Sequence, residues 1–365
     1  MTVNHAKFNL KEVINASGRM TILGVSKVSE NVLVAQRFGG ENFFEMSDLY
    51  VQTGKFLAGL LKCEDVQIVS SASAGIAQSI AGVIGKGDVY HLYHPYTDKI
   101  TQREIILPKG HNVDYGTSVE VMIEQGGGKV VEAGFANMCS PEHIEMMITP
   151  ETAGILYIKS HHTVQKSMLS VEEAASVAKK HNLPLIVDAA AEEDLFKYYE
   201  QGADLVIYSG AKAIEGPSAG MVIGKKNYVE WVRLQGKGLG RSMKIGKDNI
   251  LGFTQAVEDY LTKGSETGDS QKERLAPFIE ELNQISNIQA KIVQDGAGRD
   301  IYRASVLVEN KSAYQVIDEL KSQDPAIYTR EYQANNGIIE FDIRSVNAQE
   351  MKKITTRLSA IMEEN

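Results

Sequence analysis

The sequence predicts an α/β fold, with a large domain on a mostly parallel sheet followed by a smaller α+β lobe. Three observations predict it. Short apolar runs alternate with helix-like segments from residue 66 to about 226. Several of those runs are continuously apolar, as strands buried on both faces are. Beyond residue 226 the order changes to long helices and then a second set of short strands, and 365 residues give room for two cores.

The elements follow in chain order. Residues 1–40, rich in Gly, Asn and Ser, read as an N-terminal arm. SDLYVQTGKFLAGLLK (47–62) has helical apolar spacing. VQIVS (66–70) is a strand that leads into a helix from Ala74, with Ser73 placed to cap it. DVYHLY (88–93), REIILP (103–108), GKVVEAG (128–134), AGILYIKS (153–160), LPLIVDAA (183–190), DLVIYSG (204–210) and AGMVIGKK (219–226) are the further strand candidates. SVEVMIEQG (118–126) and SVEEAASVAKKHN (170–182) are helical, the second opening on a capping box of Ser170 and Glu173. NYVEWVRLQG and NILGFTQAVEDYLTKG (249–264) read as long helices. ISNIQAKIVQD, RASVLVEN, AIYTR and GIIEFDIR, with helices near 311–321 and from about 347, form the second lobe. The predicted division is an arm at 1–40, a large domain at 41–248 and a small domain at 249–365.

Composition excludes several classes. A net charge of −9 argues against a broad nucleic-acid surface. The two cysteines, Cys63 and Cys139, form no CxxC, so neither a disulfide framework nor a zinc knuckle is supported and no metal is predicted. No apolar run approaches the ~20 residues of a membrane span. MTVNHAKFNLKEV lacks a signal-peptide core, and a cytoplasmic location is expected.

In parallel sheets ligands sit at the carboxyl ends of strands, and four such ends carry unusual residues. VSSASAGIAQS (69–79) is a strand, a small-residue turn and a helix, an arrangement that aims N–H groups at an anion. In LPLIVDAAAEED (183–194), Asp188 follows an apolar run, where a carboxylate is costly unless a cation or donor faces it. IYSGAKAIEGPSAG (207–220) sets Lys212 among small residues, three positions after Ser209. YIKSHHTVQKS (157–167) puts Lys159, His161 and His162 beyond another strand. Alone, Lys212 reads as a solvated lysine at a strand's end, whereas the apolar run before Asp188 weighs against a simple turn residue. Together with the anion turn they supply the three parts that pyridoxal phosphate needs: an amine, an acid for the pyridine nitrogen and a phosphate cradle. Their order is that of the aspartate-aminotransferase-like superfamily, fold type I.

INASG (14–18), DLYVQTGK (48–55), SGAKAIEGPSAG (209–220) and FDIR (341–344) resemble segments of bacterial selenocysteine synthase, in the same order. The chain starts almost at INASG, without that enzyme's tRNA-gripping domain, so a tRNA substrate is not expected. TILGVS (21–26), VSSASAGIAQS and DAAAEEDL resemble the tRNA-independent branch of D-glucosaminate-6-phosphate ammonia-lyases. The resemblance implies a pyridoxal-phosphate lyase of fold type I acting on a phosphorylated amino sugar acid, as a homodimer or larger homo-oligomer. It implies that Lys212 holds the cofactor as a Schiff base and Asp188 pairs with the ring nitrogen. Ser73, Ala74, Gly75 and Ser209 would bind the phosphate, and Arg344 would receive the substrate carboxylate. The run after Asp188 is alanine, where many fold type I enzymes place a tyrosine.

Beside that resemblance, His111 in LPKGHNVDYG is the candidate for stacking on the ring. His161 or His162 is the candidate acid for the leaving group. RLQGKGLGRSMKIGK (233–247) offers Arg233, Lys237, Arg241, Lys244 and Lys247 for a substrate phosphate, of which Lys237, Arg241 and Lys244 are the chosen candidates. Its GKGLG is not a dinucleotide fingerprint. The competing readings are a β-eliminating lyase or selenium or sulfur transferase on a seryl or cysteinyl-type substrate, and a non-catalytic paralogue that keeps the fold.

Overall fold

The computed structural model describes residues 3–160, 162–296 and 299–363. The chain divides into two compact units. One is Val28–Lys263; the other joins Met1–Lys27 to Gly264–Asn365.

The strands in chain order are β1 (Val13–Asn15), β2 (Asp65–Val69), β3 (Glu104–Pro108), β4 (Lys129–Ala133), β5 (Thr152–Ile158), β6 (Leu185–Asp188), β7 (Leu205–Ser209), β8 (Gly220–Gly224), β9 (Ile288–Gln294), β10 (Tyr302–Val308), β11 (Ala326–Tyr328) and β12 (Ile338–Phe341). The larger unit holds a seven-stranded sheet in the order β2-β8-β7-β6-β5-β3-β4. All neighbours are parallel except β8, which is antiparallel to both β2 and β7. Strand side chains alternate between two cores. Val206 and Tyr208 join one, Leu205 and Ile207 the other, and both faces are covered. This is why the strands read as continuous apolar runs.

The helix Ala72–Gly85 lies on one face. Gly75 fits it there: a Cβ would come 3.1 Å from Ile207 Cγ2 and 3.3 Å from Val222 Cγ2. On this element the structure corrects the sequence reading. The cap is Ser71, whose Oγ accepts from Ala74 N–H at 3.0 Å, and Ser73 sits inside the first turn. The Ser170–Glu173 capping box forms as expected. DVYHLY is a second correction, because Val89–Tyr93 is a short helix capped by Asp88. Its apolar residues follow helical spacing, with His91 and Leu92 buried and Tyr90 and Tyr93 exposed.

The junction between units also differs from the expected 248/249. Helix Lys247–Lys263 belongs to the larger unit, where its Ile250, Phe253 and Val257 are buried in the same core as Val32 of helix Glu30–Glu41. Ser29 and Asn31 tie that pair to Asp259. The expected arm of residues 1–40 therefore splits, its first 27 residues joining the smaller unit. There β1 runs parallel to β11, and β9, β10 and β12 form an antiparallel sheet. Its core gathers Ile14, Phe278, Val306, Ile327, Phe341 and Leu358.

Candidate active site

Parallel β6 and β7, neighbours in the middle of the sheet, bring the acid and the lysine loop to their shared carboxyl ends. Asp188 ends β6, paired with Ile207 of β7. Its carboxyl is nearly enclosed and accepts from the Ala190 N–H at 3.1 Å. Burial raises it from the ordinary 3.8 to about 6, while the Lys212 ammonium and the Ala190 N–H pull the other way. Lys212 therefore stands close enough to Asp188 to act on its charge. It is half-buried in the loop 210–219, which is closed by Gly210 N–H on the Ala219 carbonyl (2.8 Å) and Gly216 N–H on the Gly210 carbonyl (2.7 Å).

The antiparallel β8 sets the position of the helix head. Its first residue, Gly220, pairs with Ser209 of β7 on one side and with Val69 of β2 on the other. A Cβ on Gly220 would lie 2.9 Å from Ala72 N, so glycine lets the head of the 72–85 helix settle beside Ser209. The N–H groups of Ala74 and Gly75, both assigned to the phosphate from sequence, are spent on Ser71 Oγ and the Ser71 carbonyl. Those of Ala72 and Ser73, with Ser73 Oγ and Ser209 Oγ, are the donors that the helix start leaves for an anion.

Tyr115 was missed from sequence. Its hydroxyl is 3.3 Å from Ser73 Oγ. Burial raises its pKa, the Ser73 hydroxyl lowers it and the charge of Asp188 raises it further. The residue thus connects the anion end with the acid. Its only sequence signal was membership of the loop that also carries His111.

His111 is fully buried at the end of β3, edge-on to Tyr157 with ring centres 4.5 Å apart. Burial brings it from 6.5 down to about 4, and the charge of Lys159 adds to the fall. Its Nδ1 accepts from Ile158 N–H at 3.4 Å, so the neutral ring carries its proton on Nε2. Among the described residues that buried Nε2 has no partner. Lys159 follows β5 and donates its N–H to the Asp188 carbonyl at 2.8 Å. His162 is exposed on the next turn, and His161 lies outside the described residues.

The basic segment divides. Arg233 is taken up by Asp65 at 2.8 Å and Gln67 at 3.0 Å, and Lys247 by the carbonyls of Gly39, Gly40 and Asn42. Lys237, Arg241 and Lys244 are exposed. The segment rests on the 72–85 helix, where a Cβ on Gly240 would meet Gln78 Oε1 at 2.7 Å. Arg344 lies in the smaller unit, its Nε and Nη2 forked on Asp342 at 2.9 and 2.8 Å. Among the described residues no group of His, Cys, Asp and Glu is arranged to hold a metal, and no helix is long and apolar enough to cross a membrane.

Known proteins match this architecture. D-glucosaminate-6-phosphate ammonia lyase of Salmonella typhimurium is 41% identical over 100% of this chain and 99% of its own length. A solved structure of a D-glucosaminate-6-phosphate ammonia-lyase superposes with a TM-score of 0.94 at 41% identity, covering 100% and 99% of the two chains. A 5'-C-glycyluridine monooxygenase-decarboxylase of Streptomyces is 32% identical over 99% of this chain and 92% of its own. Serine palmitoyltransferase of Sphingomonas wittichii shares the fold, with a TM-score of 0.54 at 14% identity, covering 95% and 86%. Residues 97–313, more than half the chain, match the selenium transferase profile. With that profile matched over more than half its length, the chain belongs to the L-seryl-tRNA selenium transferase family.

Proposed function

We propose that the protein is a pyridoxal-phosphate-dependent ammonia-lyase that converts 2-amino-2-deoxy-D-gluconate 6-phosphate to 2-dehydro-3-deoxy-D-gluconate 6-phosphate and ammonia. The observation that carries the reading is a nearly enclosed acid within electrostatic reach of a lysine, in a chain 41% identical throughout to an ammonia lyase. The residues fit the cofactor. A carboxyl raised to about 6 with one nearby lysine gains from a protonated ring nitrogen, and the N–H groups of Ala72 and Ser73 suit a phosphate.

When bound, the cofactor supplies a sink for the electron pair left at the substrate Cα as its proton departs. Lys212 would hold the cofactor through Nζ and, once free, would take the Cα proton on the same atom. Asp188 keeps the ring nitrogen protonated. A proton from His161 or His162 would let the 3-hydroxyl leave as water; the enamine so formed would take a proton at C3 from Lys212 Nζ and become the 2-imine, whose hydrolysis releases ammonia and the 2-keto acid. Ser73 and Ser209 hold the cofactor phosphate; Lys237, Arg241 and Lys244 hold the substrate phosphate. Arg344 receives the substrate carboxylate. Exposed Phe38, Phe43 and Phe56 support assembly as a homo-oligomer, which light scattering tests.

The test is an absorbance spectrum before and after borohydride, with Lys212→Ala beside wild type, followed by ammonia and 2-keto-acid assays. The wild type shows a band that borohydride bleaches onto Lys212, and the variant does not. Oxygen uptake with carbon dioxide release instead of ammonia would refute the lyase reading.

A further inference from the structure

The turn that follows Asp188 has no hydrogen-bonding side chain at residues 189–191, all three being alanine. Its backbone is sewn to β7 instead. Ala189 N–H donates to the Ile207 carbonyl at 2.9 Å and Ser209 N–H to the Ala190 carbonyl at 3.2 Å, while Glu192 N–H closes the turn on the Ala189 carbonyl at 3.0 Å. Within that turn the Ala190 N–H holds Asp188 Oδ1 at 3.1 Å. The direction of the acid therefore depends on the shape of the turn.

Tyrosines from three elements hold the chain beyond the turn. Tyr198, in the short helix Lys197–Glu200, donates its hydroxyl to Glu192 Oε2. Tyr208 of β7 donates to the Asp194 carbonyl at 3.1 Å, and Tyr260 of helix Lys247–Lys263 to the Glu193 carbonyl at 2.7 Å. The Tyr198 contact is the one made to a carboxylate, the stronger kind of acceptor. Tyr198 and Tyr208 are buried. Burial, and after it Glu192 for Tyr198 and Asp194 for Tyr208, pushes both hydroxyls up, so they stay donors. Both stand behind the sheet. Side chains alternate along β6 and β7, so Asp188 and its pair Ile207 share the face that carries the Ala72–Gly85 helix, whereas Tyr208 and Tyr198 belong to the core on the other face.

We propose that Tyr198 is a positioning residue for the acid: through Glu192 it fixes the 189–192 turn from the reverse face of the sheet, and the turn fixes the Asp188 carboxyl. Removing the hydroxyl frees the end of the turn, loosens the Ala190 N–H from Asp188 and lets the carboxyl rotate. Glu192 is a tether and carries no proton in the reaction. The hold on the turn is a property of the chain alone. The inference rests on the proposed reading only in taking a pyridine nitrogen as the group that Asp188 meets.

Hydrogen–deuterium exchange of the intact cofactor-free protein, read on peptides covering 188–196, tests the hold without a ligand. The variants are Tyr198→Phe, Glu192→Ala and Glu192→Gln. Tyr157→Phe is the control, because it deletes a hydroxyl of the same core, bonded to the Leu169 carbonyl at 3.1 Å. Tyr198→Phe and Glu192→Ala exchange about tenfold faster there than wild type, Glu192→Gln, which keeps an acceptor oxygen, is less affected, and Tyr157→Phe matches wild type. In pyridoxal-phosphate titrations Tyr198→Phe and Glu192→Ala each weaken binding about tenfold, and the variant carrying both is no weaker, since they are two halves of one contact. With cofactor bound, the pH midpoint of its visible absorbance band moves in both, which a loss of stability alone does not produce. Exchange that Tyr198→Phe leaves unchanged, or that Tyr157→Phe speeds as much, overturns the proposal. So do additive losses of cofactor affinity, an unmoved pH midpoint, or turnover abolished by Glu192→Gln and retained by Tyr198→Phe, which would make Glu192 a proton carrier. Should Tyr198→Phe fail to fold, Glu192→Ala decides on the same peptides. A wild type that takes up no pyridoxal phosphate counts against the cofactor reading, and the exchange experiment still decides Tyr198.

Discussion

Asp188 is the most telling residue. Its carboxyl rises from 3.8 to about 6 on folding, so between those values the folded chain holds more protons than the unfolded one. By linkage, stability falls as pH climbs through that window and levels off above it. In cofactor-free protein, Asp188→Asn is expected to remove the fall, giving a higher unfolding midpoint than wild type above pH 6 with activity abolished. Thermal unfolding at pH 4 and pH 8 checks this, and a wild type more stable than the variant at pH 8 would show that Lys212 alone compensates the buried charge. His111 moves oppositely: held near 4 by burial, it stays neutral at working pH and is no general acid there. Tyr115→Phe is expected to weaken pyridoxal-phosphate binding several-fold with little change in stability, because it deletes one hydroxyl bonded to Ser73. Fluorescence titration of the cofactor-free protein measures it; an unchanged affinity would remove Tyr115 from the phosphate end.

At the scale of elements, glycines separate tight contacts from open surface. Gly220→Ala forces a Cβ within 2.9 Å of Ala72 N, Ser71 C and the Tyr208 carbonyl oxygen. Overpacking against backbone is expected to cost about 1–3 kcal/mol and to loosen the anion helix. Gly59→Ala, on the exposed side of helix Met46–Leu61 with nothing within 4 Å, is expected to stabilise by about 0.5–1 kcal/mol. Urea unfolding of the two variants reads opposite signs, and equal effects would refute the packing argument. The sheet and the pair Asp188–Lys212 were legible in the sequence because strands buried on both faces write unbroken apolar runs, and a carboxylate at the end of one is conspicuous. The cap was not, since SSASAG offers serines at 71 and 73 whose roles depend on where the chain turns. Tyr115 was hidden because a loop residue's partners come from tertiary packing, which local spacing does not encode. DVYHLY misled because a short apolar run has no length with which to declare its period.

At the scale of the molecule, the smaller unit is made from both ends of the chain, a point the sequence reading missed because residues 1–40 bury only isolated apolar positions. Ile14 is fully enclosed among residues from 275 onward. Ile14→Ala is expected to cost about 2–5 kcal/mol. Limited proteolysis of the variant should cut within 264–365 before 28–263, and the reverse order would show that the units do not melt separately. The pairing of β1 with β11 joins Val13 to Ala326, 313 residues later (326 − 13). A ribosome adding about 5–20 residues per second needs roughly 15–60 seconds to cover that distance. Throughout that interval the first strand has been made and its mate has not. The first strand must therefore remain a waiting edge, exposed to chaperones and to neighbouring chains, until β11 emerges.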